Sequence, residues 1–392
     1  MRAAQNPFNP GSGLRPPALV GRDSDLEAMD TLLERTANGL PGRGLMLSGL
    51  RGVGKTVLLN EMRARAENAE WFVVGLEARP DDAGAASARR ILARELSAQA
   101  RRLAGRPKIT QRMRHALGSI SSFSVSAGVS GIDLGVEVQK GRADSGDIEV
   151  DLPEVVGDLS AALLEAKTGF GLFIDEVQDL DASLLRALLV TQHQAGQRGW
   201  PFYVVGAGLP NLSGVLAESR SYAERLFDYR RVARLPHAQA QRALAEPVSP
   251  MGVHFTTAAL DVLLDAADGY PYFLQEYGRA AWDLAAGPEV TVEDARNAHA
   301  LGLERLDAGF FASRWDRATP SERRLLVAMA IDEGSPSLSS DIASRMGLKI
   351  TSIGPYRAKL ISKGLVYAPD HGLLAYTVPG MDGFVRRHRD EL

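Results

Sequence analysis

The sequence predicts an α/β fold, a parallel sheet covered by helices with smaller helical units after it, and three observations predict it. From "RGLMLSG" (43–49) onward, short apolar runs alternate with longer helical patterns: "EWFVVGLEA", a helix around 87–104, "GFGLFIDE", a helix around 182–196, and "PFYVVGAG". The stretch "GLRGVGKT", residues 49–56, has the spacing G-x-x-x-x-G-K-[ST] and sits between an apolar strand and a helix. The run "GLFI" ends on two adjacent acids, Asp175 and Glu176. At 392 residues the chain exceeds what one core usually organises, so several domains are expected.

Taken in order, residues 1–17 hold four prolines and two glycines and predict an extended arm, mobile or draped over a neighbour. Residues 18–235 form the sheet-bearing core. Within it the rhythm breaks over 105–150, where Phe123, Val125, Ala127 and Val129 alternate at odd positions and Ile132, Leu134, Val136 and Val138 at even ones. A two-residue turn at Ser130-Gly131 would place all eight on one face of a β-hairpin spanning 123–138. That face would pack on its own domain, with an oligomer or DNA contact as the alternatives. Residues 236–316 carry apolar residues at helical spacing and predict a helical lid. Residues 317–392 begin at the capped start Thr319-Pro320-Ser321-Glu322 and continue through two further helical stretches into "YAPDHGLLAYTVP". Three helices and a hairpin make a winged helix-turn-helix candidate.

Bulk composition narrows the function. With 45% hydrophobic and 24% charged residues and a net charge of -3, the chain is no uniformly basic nucleic-acid coat, so any such contact is local. There is no cysteine, which excludes disulfides, thiolate metal sites and cysteine nucleophiles and fits a reducing, cytoplasmic setting. No apolar run approaches the roughly 18 residues that a membrane span needs, so no membrane partner is expected.

The chemistry lies in the loop. Gly49, Leu50, Arg51, Gly52, Val53, Gly54, Lys55, Thr56 and Val57 are placed to bind nucleotide phosphates through backbone N–H groups and a helix N-terminus. Lys55 neutralises the β- and γ-oxygens, and the Thr56 hydroxyl ligates Mg²⁺. Asp175 completes the metal site, and Glu176 is placed to polarise the attacking water. No N/T-K-x-D guanine-reading motif occurs, so ATP is expected rather than GTP.

On these motifs, and on the box "LVGRDSDLEAMDTLL", residues 18–392 resemble the AAA+ P-loop ATPases of the origin-recognition-like and STAND-like branches, in which a P-loop domain, a helical lid and a winged helix follow in this order. The resemblance implies that the backbone near Val20 and Gly21 packs against adenine. It also implies an arginine finger presented to a neighbouring subunit from "SRSYAERLFDYRRV", with Arg225 first and Arg220 second, and hence a homo-oligomer. The chain departs from the pattern in two places. The strand after Glu176 ends at Ala207 and Gly208, with Asn211 three residues late, where the family carries a polar sensor. The lid reads Gly269-Tyr270-Pro271-Tyr272 where initiators carry an arginine, a pattern closer to the STAND-type proteins.

From residue 318 onward ten Lys/Arg face eight Asp/Glu, a net of about +2, yet three of the seven lysines fall here. Lys349, Arg357, Lys359 and Lys363 lie in or beside the expected recognition helix and predict contacts to double-stranded DNA. The resulting expectation is a slow, Mg²⁺-dependent ATPase acting as a molecular switch between ATP and ADP states, which couples nucleotide to DNA binding. The alternatives are a STAND-like signalling or defence regulator whose winged helix and hairpin bind protein partners, and a helper ATPase of a transposition-type complex.

Overall fold

The computed structural model describes residues 1–79, 85–104, 110–129, 139 and 141–389. Helix α1 (Asp23–Ala37) precedes β1 (Gly44–Ser48), α2 (Lys55–Asn68) and β2 (Phe72–Glu77). Three helices follow, α3 (Ala85–Ala104), α4 (Gln111–Ser126) and α5 (Ile148–Glu165). Then come β3 (Phe170–Asp175), α6 (Ala182–Arg198), β4 (Phe202–Gly208), α7 (Leu212–Ser219) and β5 (Phe227–Arg231). The five strands run parallel in the order β2-β3-β4-β1-β5.

A parallel sheet must be covered on both faces, and β4 is accordingly buried at every residue. Alternate side chains feed two cores. Leu45, Leu47, Phe173, Tyr203 and Val205 meet residues of α1 and α2 on one face. Met46, Leu172, Ile174 and Val204 meet residues of α3 to α6 on the other. Register aligns the carboxyl ends of the strands that matter: Ser48 stands beside Gly208, and Ile174 beside Gly206. The chain is therefore an α/β protein of the expected P-loop type.

The expected hairpin is corrected. Its first arm belongs to α4, capped by the Thr110 hydroxyl, which accepts from the Met113 N–H. Ala116, Leu117, Ile120 and Phe123 are fully buried at helical spacing, whereas Val125, an inward residue of the hairpin, is 56% exposed. The serines between them give α4 its close fit. Ser119, Ser121, Ser122 and Ser124 are buried, and the Ser124 hydroxyl meets Ser97 of α3 at 2.7 Å. Small polar residues that satisfy one another across a helix interface thus produced an alternation that looks like a strand. The second arm, 132–138, and the Ser130-Gly131 turn lie outside the described residues.

Beyond the sheet come α8 (His237–Val248), β6 (His254–Phe255), α9 (Thr257–Ala267), α10 (Pro271–Leu284), β7 (Glu289–Val290) and α11 (Val292–Arg305). A π-helical turn, Leu306–Phe311, carries α11 into α12 (Ala312–Trp315). The C-terminal segment contains α13 (Pro320–Met329), β8 (Ser337–Leu338), α14 (Ser339–Arg345), α15 (Ile350–Ser362), β9 (Val366–Tyr367), β10 (Leu373–Tyr376) and α16 (Met381–Arg387). Strand β10 pairs antiparallel with both β9 and β8. The capping box at Thr319 and Glu322 forms as the sequence predicts. One apolar cluster joins α8–α11 to this segment, with Leu263, Tyr277, Phe311, Leu326 and Phe384 in a continuous core.

The arm packs along its own chain. Phe8 is 3% exposed and packs where Gly278 of α10 leaves no Cβ. Asn6 Nδ2 donates to the Arg279 carbonyl at 3.0 Å and to Asp283 at 2.9 Å. From there the arm crosses to the core, where Gly13 lies against Thr56 and Arg15 pairs with Glu61 at 3.4 Å. Among the described residues no helix is long and apolar enough to cross a membrane.

Candidate functional site

The loop after β1 must turn sharply into α2, and two glycines make this feasible. Gly54 adopts φ 92° at the N-cap of α2, and a Cβ on Gly49 would stand 2.2 Å from the Val232 carbonyl oxygen. Lys55, 6% exposed, curls back so that Nζ donates to the carbonyls of Gly49 at 3.0 Å and Leu50 at 2.9 Å. Desolvation pulls its pKa below the ordinary lysine value, against the support of Glu176 and Asp175. The ammonium is thus held over the loop, ready to exchange weak carbonyl partners for an anion.

Thr56 and Asp175 meet as expected, the hydroxyl donating to Asp175 Oδ2 at 2.6 Å. Burial raises the pKa of Asp175, with the Thr56 hydrogen bond opposing. Two hard oxygens side by side, one on a desolvated carboxylate, are the donor set that a magnesium ion takes.

Glu176 adopts φ 52°, a left-handed conformation uncommon outside glycine. The strained turn aims its carboxylate along the loop, where Oε1 lies 3.3 Å from Arg51 Nη1 and Oε2 accepts from Gln178 Nε2 at 2.7 Å. Gln178 is a residue at the site that the motifs did not reveal. Its Oε1 accepts from the Leu209 N–H at 3.1 Å, and it fits because Gly208 has no Cβ, which would lie 2.7 Å from that oxygen. A polar side chain thus reaches the end of β4 from the turn after β3. Asn211 stands at the N-cap of α7 without a side-chain capping bond, and its Oδ1 is buried without a partner.

A cavity of about 310 Å³ opens above the loop. Arg51, Gly52, Val53, Gly54, Lys55, Thr56, Val57 and Glu176 line it, together with Val20 and with arm residues from Asn9 to Leu14. Gly49 and Leu50 are not among its walls, and Leu50 instead packs with Leu209, Tyr367 and Ala375. Gly21 is also absent from the lining. At φ 68° it approaches Gln239 of α8, and a Cβ there would stand 2.8 Å from that side chain. Arg22 takes its place, buried and donating from Nη2 to the carbonyls of Val53 at 2.9 Å and Ala233 at 2.8 Å.

The sequence Gly269-Tyr270-Pro271-Tyr272 starts α10 against the loop. Gly269 turns at φ 71° and accepts from the Leu235 N–H at 2.7 Å, and the Tyr272 N–H reaches the Gly52 carbonyl at 3.3 Å. The C-terminal segment touches the loop as well: the Arg51 N–H donates to the Thr377 carbonyl at 2.9 Å.

Other expected residues lie elsewhere. Arg225 is 80% exposed in a turn before β5, whose first residue, Phe227, stands beside Gly44 at the amino end of the strands, the end of the sheet away from the loop. It cannot reach the cavity of its own chain. Arg220 is tied to Glu149 at 3.1 Å. Lys349 and Lys359 are exposed on α15 and its N-cap, whereas Arg357 is half-buried with an unpartnered Nε. Lys363 is bonded to buried Glu322 at 2.6 Å and to the Arg317 carbonyl at 2.8 Å, so it is the one of the four held by an internal ion pair.

Residues 18–205 match the family model described as AAA ATPase domain, and residues 308–385 match one described as a domain of unknown function. No curated protein matches the chain. Among solved structures, a Walker-type ATPase of Pyrococcus abyssi is similar with a TM-score of 0.60 at 16% identity, covering 95% of this chain and 97% of that one. The RuvB Holliday junction branch migration motor of Thermotoga maritima gives 0.44 at 15% identity over 97% and 98%. The Orc1 protein of Aeropyrum pernix, solved in complex with DNA, gives 0.45 at 16% over 95% and 94%. Residues 18–205 thus match an AAA ATPase domain, which together with the loop geometry supports an ATP-hydrolysing P-loop enzyme.

Proposed function

We propose that this P-loop ATPase is a molecular switch whose nucleotide state is transmitted to the C-terminal segment, acting as a winged helix on double-stranded DNA. One observation carries the reading: Arg51 is at once a cavity wall, the ion-pair partner of Glu176 and, through its N–H, the partner of Thr377. Arg51 therefore offers a change at the phosphates a direct route to the C-terminal segment.

In this reading the backbone N–H groups of the loop and the N-terminus of α2 cradle the phosphates of ATP. Lys55 Nζ leaves its two carbonyls for the β- and γ-oxygens. Thr56 and Asp175 would hold Mg²⁺, which neutralises phosphate charge when bound. Glu176 orients water for in-line attack and takes its proton as the bond from the γ-phosphorus to the bridging oxygen of ADP breaks. Turnover is slow in an isolated chain because Arg225 cannot serve its own cavity. In a homo-oligomer a second copy would present its Arg225 there.

The exposed Lys349 and Lys359 support a phosphate-contacting face on α15. A second reading has its own support: Leu338, Leu348 and Ile350 expose apolar surface around the start of α15, which suits a protein partner of a STAND-like regulator. Nothing distinctive favours a transposition helper. The deciding experiment is fluorescence anisotropy of a labelled duplex, titrated with protein in ATP, ADP and no nucleotide at two salt concentrations. Salt-sensitive, nucleotide-dependent binding is expected, and no binding in any state would overturn the DNA reading in favour of the protein-partner one.

A further inference from the structure

One cation at the cavity without an ion-pair partner comes from outside the matched ATPase domain. Arg314, on α12, lines the cavity with Arg51, Lys55, Thr56 and Glu176. Its guanidinium lies over the Phe310 ring, 4.1 Å from the centroid, and Nη1 donates to the Phe310 carbonyl. Phe310 in turn stacks on Tyr272 at 4.6 Å, and the Tyr272 N–H reaches Gly52 of the loop. An aromatic shelf thus fixes Arg314 against the phosphate-binding turn.

Its electrostatic surroundings are unbalanced. Among the described residues no carboxylate forms an ion pair with Arg314. Desolvation, then the neighbouring Arg51 and Arg317, bring its pKa down to about 10, with only Tyr272 opposing by charge. A half-buried, desolvated arginine beside a second cation, with a ring and one carbonyl for company, lacks an anion. Position says which anion. Arg51, its charged neighbour, pairs with Glu176 at the water-activating end of the cavity, whereas Val20, Leu235 and Ala243 form the apolar end suited to a base.

We propose that Arg314 is a ligand of the terminal phosphate of ATP, supplied within the same chain by the unit that spans 308–385. This rests on the reading of the cavity as an ATP site. The planar fork matches phosphate geometry, and its placement makes ATP, but not ADP, a direct tie between the loop and the C-terminal unit.

The test is calorimetric titration of the full chain, and of Arg314→Gln and Arg314→Lys, with Mg²⁺ and either ADP or the β,γ-imido analogue of ATP. Arg314→Gln is expected to lose about tenfold to hundredfold affinity for the analogue while ADP affinity changes less than about threefold, with Arg314→Lys intermediate. Equal losses for both nucleotides, or none for either, overturn the proposal. If Arg314→Gln loses its cooperative melt, Arg314→Lys, which keeps the stem and the charge, decides by the same ratio. If the parent chain binds neither nucleotide, the ATP-site reading itself fails and the proposal falls with it, an outcome distinct from loss in the variants alone.

Discussion

Arg51 Nη1 lies 3.3 Å from Glu176 Oε1, an ion pair between the phosphate-binding turn and the residue placed to activate water. The pair is about a quarter exposed and competes with water for the carboxylate. Relieving an interaction worth about 1 kcal/mol speeds a step roughly fivefold. Arg51→Ala is therefore expected to raise basal ATP hydrolysis by about that factor and, at the same time, to uncouple DNA affinity from nucleotide. Steady-state phosphate release and duplex anisotropy measure the two effects.

Glu176→Gln preserves shape and removes the base. Hydrolysis should fall roughly 100-fold or more while ATP still binds. Lys55→Ala should instead lower nucleotide affinity by about 100-fold without lowering the melting temperature, because the lost ammonium is desolvated in the free protein. Equilibrium binding and a thermal melt on each variant separate the two roles.

Gln178 predicts an effect at a residue that touches no nucleotide. A methyl on Gly208 would stand 2.7 Å from Gln178 Oε1 and 3.1 Å from Leu212, so Gly208→Ala must displace the glutamine. Glu176 then loses one of its two holders. Turnover in Gly208→Ala is expected to change severalfold with KM for ATP nearly constant, and Gln178→Leu should reproduce it.

The internal ion pair of Lys363 separates stability from DNA contact. Burial works against ionisation of Glu322, but the hydrogen bonds from Lys363 and the Thr319 N–H prevail and leave its pKa lowered. A depressed carboxylate binds fewer protons folded than unfolded. Its stabilisation is thus complete above the unfolded value of about 4.3 and is lost as pH falls through the lower folded value. Lys363→Ala should cost about 3 kcal/mol near neutral pH, with the difference shrinking below about pH 4. Lys349→Ala and Lys359→Ala should leave urea midpoints unchanged and reduce the salt slope of DNA binding by about one each.

Phe8→Ala should destabilise the docking of the arm by about 3 kcal/mol, the cost of emptying a buried aromatic site. Gly278→Ala should act similarly from the other side, since its Cβ would stand 2.7 Å from that ring. Protease nicking of residues 1–17 reports the release.

The parts legible in the sequence are those where chemistry demands fixed residues at adjacent positions. The turn from Gly49 to Thr56, the strand ending at Asp175 and the capping box at Thr319 each satisfy local hydrogen bonds or charge, so their residue types identify them. The parts that were not legible depend on what lies opposite. Phe123 to Val129 alternate like a strand, yet the serines between them fit a helix because Ser97 meets Ser124 and Arg89 meets Ser126 across the interface with α3. Gln178 earns its place through the empty position at Gly208, thirty residues on. Arg314 carries no motif at all, and only the folding of α12 over the loop brings it to the cavity.

The arm has a mechanical consequence. The helical layer is joined to the sheet by the chain at Leu235 and, separately, by Phe8 and Asn6 clasping α10 before the polypeptide crosses to Arg15 and Glu61. Together with the contacts from Tyr272 to Gly52 and from Arg51 to Thr377, the arm closes a ring of fastenings around the cavity, so a displacement of the helical layer away from the loop must also strain the clasp of Phe8 and Asn6 on α10.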